Sequence, residues 1–484
     1  MNRTKPKLLI FSHICNPVLV TGGEKVLSLF LQELVIHYDC VMIVPEFGAI
    51  AHKAKSIGIR TVVLDIPLCF SLYTCAPSVF QEIETLKQQP AWRTVHALLA
   101  HERPDVVMVN TSVHPLPAMA AYSRGIPTVW LLMETLYDTV HRDKCAAFIA
   151  ANCDIIVGMS RTVLKPFQGV KHARKTYKMP PYLKLDELVP GVWPQARTQL
   201  RRLYRWKDEH CVVGFIAATI YPNKGQLQFV EAMLPIAAEN PNARFLIVGS
   251  QVDEGHYMAC RTRVLKAGFE DRFVFYPFAE HIHQVYPAMD IVVVPSLMTE
   301  GFGMTSLEGM MFGKAVVAYS SGGLAEILTA TGNERFLVPK GDISGLTERV
   351  RWLVKDETYR LVIAKRNSDA ALREFGVDRF RVKLSALMAM IDVIPKNRPP
   401  IPVPVLTAPQ DAPAPTPSRA RTISARSNRQ IRTISKRKKT RPTARRNLHR
   451  PTGRAHPVRR RSSRTTRAVG RARRHKSVRR RAKR

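Results

Sequence analysis

No window of about 18 apolar residues occurs in the 484-residue sequence, so we expect no helix that spans a bilayer. The eight cysteines form no C-x-x-C pair and have no clustered histidines, which argues against a zinc site and against a disulfide framework. The N-terminal apolar stretch of about six residues is too short for a signal peptide. These absences predict a reduced cytoplasmic protein, and a peripheral position at the inner face of the membrane stays open.

Acidic residues are absent from residues 412–484, which carry 28 Lys and Arg. The whole chain has a net charge of +36, of which only +8 belongs to residues 1–411. Residues 395–418 contain nine prolines in 24 positions, a composition that favours an extended linker. Residues 419–484 have too few apolar side chains to offset the entropy of ordering, so we expect a disordered basic tail after a globular chain.

The globular part alternates short apolar runs with longer amphipathic stretches. Because each run is apolar at consecutive positions, it is typical of a parallel strand covered on both faces. The first half predicts strands at residues 8–12, 41–45, 61–65, 105–110, 128–133 and 154–159, with helices at 23–37, 79–101 and 115–124. The second half predicts strands at 212–218, 244–249, 272–276, 291–296, 315–319 and 336–339, with helices at 225–239, 255–267 and 305–312. We therefore predict an α/β chain of two doubly wound Rossmann-like domains, residues 1–190 and 191–377.

A glycine-bearing loop follows the strand predicted at 291–296 and leads into a helix. In doubly wound sheets ligands bind at the carboxyl edge of the strands, and the free N–H groups of a helix start favour an anion. Gly301 and Gly303 let the backbone approach a ligand closely, and Glu300 and Glu308 bracket the site. Glu308 lies in an otherwise apolar helix, where a buried carboxylate needs hydrogen-bond donors such as sugar hydroxyls. Without that context the pattern would be typical of a solvated loop before a surface helix.

This element, with seven residues between Glu300 and Glu308 and a Gly-Lys-Ala-Val-Val-Ala run at 313–318, resembles the hallmark of a known family. The family is the nucleotide-sugar glycosyltransferases of the GT-B fold, glycosyltransferase family 4, the retaining group 1 type. Further similarity lies in the loops at 21–24, 221–225 and 321–326 and the strands at 245–249 and 288–296. The resemblance covers residues 7–394. It implies two domains that face a cleft, with the helix at 378–394 packed back on the first domain.

The resemblance also implies a role for each matched residue. Glu308 would accept the ribose hydroxyls of the nucleotide, Glu300 would lie beside the transferred sugar as a catalytic residue, and Lys224 would neutralise the leaving diphosphate. The other donor-binding residues that it implies are Gly22, Gly23, Gly249, Phe278, Gly301, Phe302, Gly303, Met304 and Thr305.

Two positions depart from the family. Thr219 stands where many relatives carry an arginine that forms a two-cation clamp with the loop lysine. Either Lys224 works with another cation, or the leaving group is stabilised less. Met133 stands where the family often has a histidine near the sugar, and Met133 and Glu134 are therefore the candidate acceptor-side residues. No Asp-x-Asp pair occurs, in agreement with a metal-independent reaction, and we expect neither a metal nor a cofactor.

The sequence thus predicts a retaining hexosyl transfer from a nucleotide sugar to a saccharide or lipid-linked acceptor. Two alternatives stay open: a catalytically silent GT-B scaffold that presents its basic tail to nucleic acid or membrane, and a GT-B epimerase. The tail has almost no aromatic residues to stack on bases, so we expect no sequence-specific reading of nucleic acid. Nonspecific contact with polyanions or an anionic membrane is one interpretation of the tail, and a solvated tail without a partner is the other.

Overall fold

The computed structural model describes residues 5–17, 22–170, 175–396 and 399. The expected tail at 419–484, nearly all of the expected linker at 395–418, and Thr21 lie outside the described residues. In the described part, no helix has the length and apolar character needed to cross a membrane. Each of the eight cysteines is a buried free thiol.

The first domain is built on a fully parallel sheet. Its strands are β1 (Lys7–Phe11), β2 (Asp39–Val44), β3 (Arg60–Val63), β4 (Val106–Asn110), β5 (Thr128–Leu132), β6 (Ile155–Gly158) and β7 (Thr176–Lys178), in the order β3-β2-β1-β4-β5-β6-β7. The helices are α1 (Gly22–His37), α2 (Ala49–Ser56), α3 (Phe70–Thr74), α4 (Val79–Lys87), α5 (Pro90–Glu102), α6 (Pro115–Ser123), α7 (Arg142–Ala151) and α8 (Arg161–Leu164). Alternate residues of each central strand enter opposite cores: Leu9 and Phe11 pack under α3–α8, and Leu8 and Ile10 pack under α1 and α2.

The second domain repeats this arrangement. Its strands are β8 (Cys211–Ile220), β9 (Ala243–Gln251), β10 (Phe273–Tyr276), β11 (Ile291–Val294), β12 (Ala315–Tyr319) and β13 (Leu337–Val338), in the parallel order β10-β9-β8-β11-β12-β13. The helices are α9 (Trp193–Leu203), α10 (Gln226–Glu239), α11 (Glu254–Lys266), α12 (Met304–Met311), α13 (Gly323–Ala330), α14 (Ile343–Lys355) and α15 (Glu357–Phe375). Two doubly wound sheets in succession confirm the predicted α/β class.

The last described helix, α16 (Val377–Asp392), returns to the first domain. The Phe380 ring packs edge-on against Phe30 of α1, with ring centroids 4.9 Å apart. Beside it, the Arg381 guanidinium pairs with the buried Glu33 carboxylate at 2.7 Å. This helix therefore joins the second domain to the first through apolar and ionic contacts.

Some predicted elements differ from the structure. The prediction of a single helix at 79–101 is wrong, because α4 ends at Lys87 and α5 begins at Pro90. Proline lacks the N–H that a continuing helix needs, but it fits the first position of a new one. The strand β7 and the helix α9 were not predicted; α9 begins at Trp193, within a stretch that its prolines and glycine marked as irregular.

Candidate functional site

A cleft of about 460 Å³ opens between the two domains, and we call it the central cleft. It lies where the chain leaves β8 and β11, the neighbouring strands at which the second sheet reverses its strand order. Ligands of doubly wound sheets bind at this position. The predicted site residues that line the central cleft are Gly22, Gly23, Met133, Lys224, Phe278, Glu300, Gly301, Phe302, Gly303, Met304, Thr305 and Glu308.

Glu300 and Lys224 meet in the central cleft because their loops follow adjacent strands. Lys224 Nζ lies 2.8 Å from Glu300 Oε1. Ser296 Oγ donates a second hydrogen bond to the same oxygen, also at 2.8 Å. The carboxylate is thus held by two donors from its own domain, both of which bond to Oε1.

Glu308 is held by donors from both domains. Its side chain is 9% exposed, and the Tyr286 hydroxyl donates to Oε2 at 2.9 Å. The Tyr286 ring stacks on Phe312 with centroids 4.9 Å apart, which fixes the direction of the hydroxyl. Burial and the nearby Glu308 charge raise the pKa of Tyr286 well above its usual value, so the phenol stays a donor. The other oxygen of Glu308 pairs with Lys25 of α1 across the cleft.

Two helix starts face the central cleft, one from each domain. The helix α1 begins at Gly22, and α12 begins at Met304 after Gly303. The first N–H groups of a helix have no partner inside the helix, and its dipole places partial positive charge there. With Lys25 and Lys224, these helix starts form a site suited to an anion that both domains contact.

Gly301 marks a point where the backbones of the two domains touch. A Cβ atom added to Gly301 would lie 2.1 Å from the Met133 carbonyl oxygen of the first domain. Any side chain at this position would therefore push the domains apart. The close approach explains why the loop needs a glycine directly after Glu300.

Gly249 was predicted to bind the donor. This residue does not line the central cleft; its neighbour Val248 does. Gly249 has φ of +150°, and a Cβ atom there would lie 2.1 Å from the Ala217 carbonyl oxygen of the neighbouring strand β8. The register between β8 and β9 shifts at this point. Gly249 therefore serves close strand packing, because only a glycine leaves room for that carbonyl.

Glu134 also lies outside the lining of the central cleft, although Met133 lines it. Its Oε1 accepts hydrogen bonds from the Ser112 amide at 2.7 Å and from the Ser112 hydroxyl at 2.5 Å. Burial raises the pKa of Glu134, and the bonds from Ser112 oppose that rise. The two candidate acceptor-side residues thus have different surroundings.

Three functional positions were missed by the sequence analysis: Lys25, Tyr286 and Ser296. Lys25 directly follows a predicted helix start, which was a usable signal, and Ser296 ends a predicted strand. Tyr286 had no local signal, because it lies 22 residues before the carboxylate that it contacts. Thr219 lines the central cleft. The cation that accompanies Lys224 there is Lys25, which comes from the first domain.

Among the described residues, no group of three or more His, Cys, Asp or Glu side chains is arranged to hold a metal ion. The neighbouring His281 and His283 rings stack on each other with centroids 5.4 Å apart.

Comparison with solved structures defines the fold. Anabaena Alr3699/HepE in complex with UDP and glucose is 20% identical, has a TM-score of 0.65, and is matched over 79% of this chain and 99% of its own. WaaG, a glycosyltransferase involved in lipopolysaccharide biosynthesis, is 14% identical with a TM-score of 0.57, over 78% of this chain and 99% of its own. The chain therefore has the GT-B fold, as predicted.

Sequence comparison finds similarity to glycosyltransferases. Residues 210–356 match the family model of the group 1 glycosyl transferases. The 2-deoxystreptamine N-acetyl-D-glucosaminyltransferase of Streptomyces fradiae is 36% identical over 212 residues, which cover 40% of this chain and 49% of the relative. A GDP-mannose-dependent mannosyltransferase of Corynebacterium glutamicum, which acts on a monoacylated phosphatidylinositol monomannoside, is 27% identical over 222 residues, 44% of this chain and 56% of its own. The chain spans about half the length of the curated relatives that it matches. Residues 210–356, within the second domain, are thus similar to the group 1 glycosyl transferases, and the chain has the GT-B fold.

Proposed function

We propose that the protein is a glycosyltransferase that moves a hexosyl group from a nucleotide sugar to a saccharide or lipid-linked acceptor. One observation carries the proposal: two helix starts and two lysines, one of each from each domain, converge on Glu300 and Glu308 in a single cleft of about 460 Å³. This is the arrangement that a nucleoside diphosphate joined to a sugar requires. The group 1 glycosyl transferase match covers the domain that holds both glutamates.

In the proposed complex, Glu308 accepts the ribose hydroxyls and Glu300 lies beside the transferred sugar. Phe278 and Val248 lie on the side of the cleft assigned to the base. Of the two residues that bond to Glu308, Lys25 is 32% exposed and Tyr286 is buried, so Lys25 is the one that a nucleotide could displace. The nucleotide would replace Lys25 at Glu308 and keep the bond from Tyr286.

Lys25 would then act with Lys224 on the diphosphate. A cation in the first turn of a helix is unfavourable for that helix, because the dipole is positive at this end. The position of Lys25 is therefore better explained by an anion in the cleft than by the stability of α1. Lys25 would be the second cation that Thr219 does not provide.

The proposed step transfers the sugar without a covalent change in the protein. The bond from the anomeric carbon to the diphosphate oxygen breaks, and its electron pair stays on the diphosphate. A bond forms from the same carbon to the acceptor oxygen, whose proton leaves with the diphosphate or to solvent. Two lysines and two helix starts stabilise the charge that develops on the leaving group.

Retention of the anomeric configuration, metal independence and membership of glycosyltransferase family 4 are part of the proposal and rest on the resemblance around Glu300 and Glu308. A cytoplasmic location with peripheral contact at the membrane is also part of the proposal and rests on the composition of the sequence. A silent scaffold is less well supported, because the charged residues of the site are present and paired in one cleft. The epimerase alternative is weakened by the same glycosyl transferase match.

The test is to add a panel of nucleotide sugars to the full-length protein and to measure the melting temperature and the release of nucleotide. A donor at 100 times its dissociation constant should add about 2.7 kcal/mol to the free energy of unfolding. Activity should persist in EDTA, and the product anomer, read by ¹H NMR, should match that of the donor. If no donor shifts the melting temperature, the scaffold is favoured; loss of activity in EDTA would show a metal requirement.

A further inference from the structure

A second cavity of about 400 Å³ lies beside the central cleft, and we call it the side cavity. Its walls come from both domains. The first domain contributes Tyr73, the segment after β5 that includes Thr135, and the start of α7 at Arg142. The second domain contributes Met298 and Thr299. No role was assigned to this space above.

The side cavity and the central cleft share one wall. Met133 lines the central cleft and Thr135 lines the side cavity, so Glu134 lies between the two spaces. On the facing domain, Glu300 lines the central cleft and Thr299 the side cavity. A molecule in the side cavity would therefore lie near Glu300 and the proposed sugar position.

Aromatic rings and hydroxyls make the side cavity suitable for a saccharide. The Tyr73 and Tyr137 rings pack edge to face with centroids 4.8 Å apart, and Tyr137 is 50% exposed. Burial, followed by contacts with Tyr137 and with the charges of Glu134 and Glu300, raises the pKa of Tyr73, so its hydroxyl remains protonated. Thr135 and Thr162 add further hydroxyls to the wall. Such groups bind sugar faces and sugar hydroxyls.

Cations make the side cavity suitable for an anion as well. Arg142 Nε is buried and makes no hydrogen bond with the described residues; the Asp143 carboxylate is 3.8 Å away. Arg142 Nη1 is paired with Asp138 at 2.5 Å, and Asp138 is 85% exposed. Lys165 lines the same cavity and forms no ion pair in the described part of the chain. Asp138 is the one carboxylate among the described lining residues, so the cations outnumber it.

We propose that the side cavity binds the acceptor, and that the acceptor is a saccharide with an anionic substituent, a phosphate or a carboxylate, held by Arg142 and Lys165. The inference rests on the proposed function, since it names the acceptor class for the same reaction. The Arg142 guanidinium is 32% exposed, and its parallel N–H donors suit a planar or tetrahedral anion. The exposed Asp138 occupies the guanidinium until such an anion arrives.

The full-length protein is first saturated with the nucleoside diphosphate that shifts its melting temperature most. It is then titrated with four compounds. These are glucose, glucose 6-phosphate, glucuronic acid and inorganic phosphate, followed by calorimetry at fixed ionic strength. Glucose 6-phosphate or glucuronic acid should bind at least about tenfold more tightly than glucose. Which of the two binds more tightly distinguishes a phosphate from a carboxylate, and inorganic phosphate measures the anion alone.

Variants separate the side cavity from the rest of the basic surface. Arg142→Gln should lower the affinity for the anionic sugars by about 10- to 100-fold, and Lys165→Gln should lower it less. Asp138→Asn should increase the affinity for the anionic sugars severalfold, because it removes the competing carboxylate. If the Arg142–Asp138 pair were merely structural, the affinity would not increase. Lys144→Gln, an exposed lysine on the same helix as Arg142, is the matched control and should change nothing.

The proposal is overturned if the anionic sugars bind no more tightly than glucose, or if Arg142→Gln and Lys165→Gln, folded by their melting curves, both leave the binding unchanged. Failure of the proposed function looks different: the wild-type protein would then bind no nucleotide or nucleotide sugar. In that case the same titrations without nucleotide still decide whether Arg142 and Lys165 bind the anion.

Discussion

Lys25→Met should lower turnover and stability by separable amounts. Lys25 pairs with Glu308, and the two side chains are 32% and 9% exposed. Removal of one partner of a fully buried pair costs about 3–5 kcal/mol, whereas an exposed pair is worth about 0.2–1 kcal/mol. This half-buried pair lies between these limits, because Tyr286 still donates to Glu308 at 2.9 Å. We expect a loss of about 1–2 kcal/mol in the free energy of unfolding.

The loss of turnover has a different origin. If Lys25 binds the leaving diphosphate, its removal deletes one charge-assisted interaction, worth about 1.5–3 kcal/mol. That corresponds to a decrease of about 10- to 150-fold in kcat. The double variant Lys25→Met/Glu308→Gln removes the unpaired carboxylate as well. It should regain most of the stability and none of the turnover.

Chemical denaturation and the single-turnover rate of donor cleavage measure the two effects. Lys55→Met, an exposed lysine of α2, is the matched control and should match the parent in both. Unchanged turnover in folded Lys25→Met would refute the role of Lys25 on the diphosphate. Recovery of turnover together with stability in the double variant would show that Lys25 acts only through the position of Glu308.

Three further predictions concern the leaving group, the returning helix and the tail. Lys224→Ala should lower kcat more than it weakens donor binding, because charge on the leaving diphosphate is greatest in the transition state; steady-state kinetics and nucleotide titration measure the two. Glu33→Gln should lower the Tm near neutral pH, because the buried Glu33 carboxylate pairs with Arg381 at 2.7 Å and Lys184 at 3.0 Å. Burial alone would raise the pKa of Glu33, but the bonds from Arg381 and Lys184 outweigh it and the pKa is lowered. This stabilisation is present above the ordinary carboxyl pKa and is lost as the pH falls through the lowered value, so the Tm values of parent and variant should converge below about pH 4. A chain cut at residues 395–400 should stay folded and active, with its Tm within a few degrees, and should lose salt-sensitive binding to anionic vesicles or nucleic acid.

Each of these has a result that would contradict it. Equal losses of affinity and turnover in Lys224→Ala would indicate simple ground-state binding. A Tm difference for Glu33→Gln that persists into acid would mean that the carboxylate charge is not what holds α16; Asp186→Asn, at an exposed position, is the control. A truncated chain that unfolds would show that the removed segment is part of the fold. A truncated chain that binds polyanions as tightly as the intact one would show that the cationic surface lies outside the tail.

Local patterns were sufficient for most of the fold. Strands such as β1 and β12 were predictable because a parallel strand buried on both faces must be apolar at consecutive positions. The element from Glu300 to Glu308 was equally local, since a strand end, a glycine loop and a helix start lie within one short stretch. The helix break at Pro90 was missed, but it could have been predicted from the sequence, because a proline fits the start of a helix and not its middle.

The partners of these residues were decided by the tertiary structure. Lys25 lies 283 residues before Glu308, and no periodicity links them; they meet because the two sheets face each other across a cleft. Gly249 belongs to a motif that resembles the family's, yet it lies against the Ala217 carbonyl of β8 and does not line the cleft. The side cavity is assembled from Tyr73, Arg142 and Thr299, which lie on separate segments of both domains. Sequence patterns report backbone geometry, which repeats over a few residues, whereas a binding site depends on the distances between segments, and only the packing of two domains sets those distances.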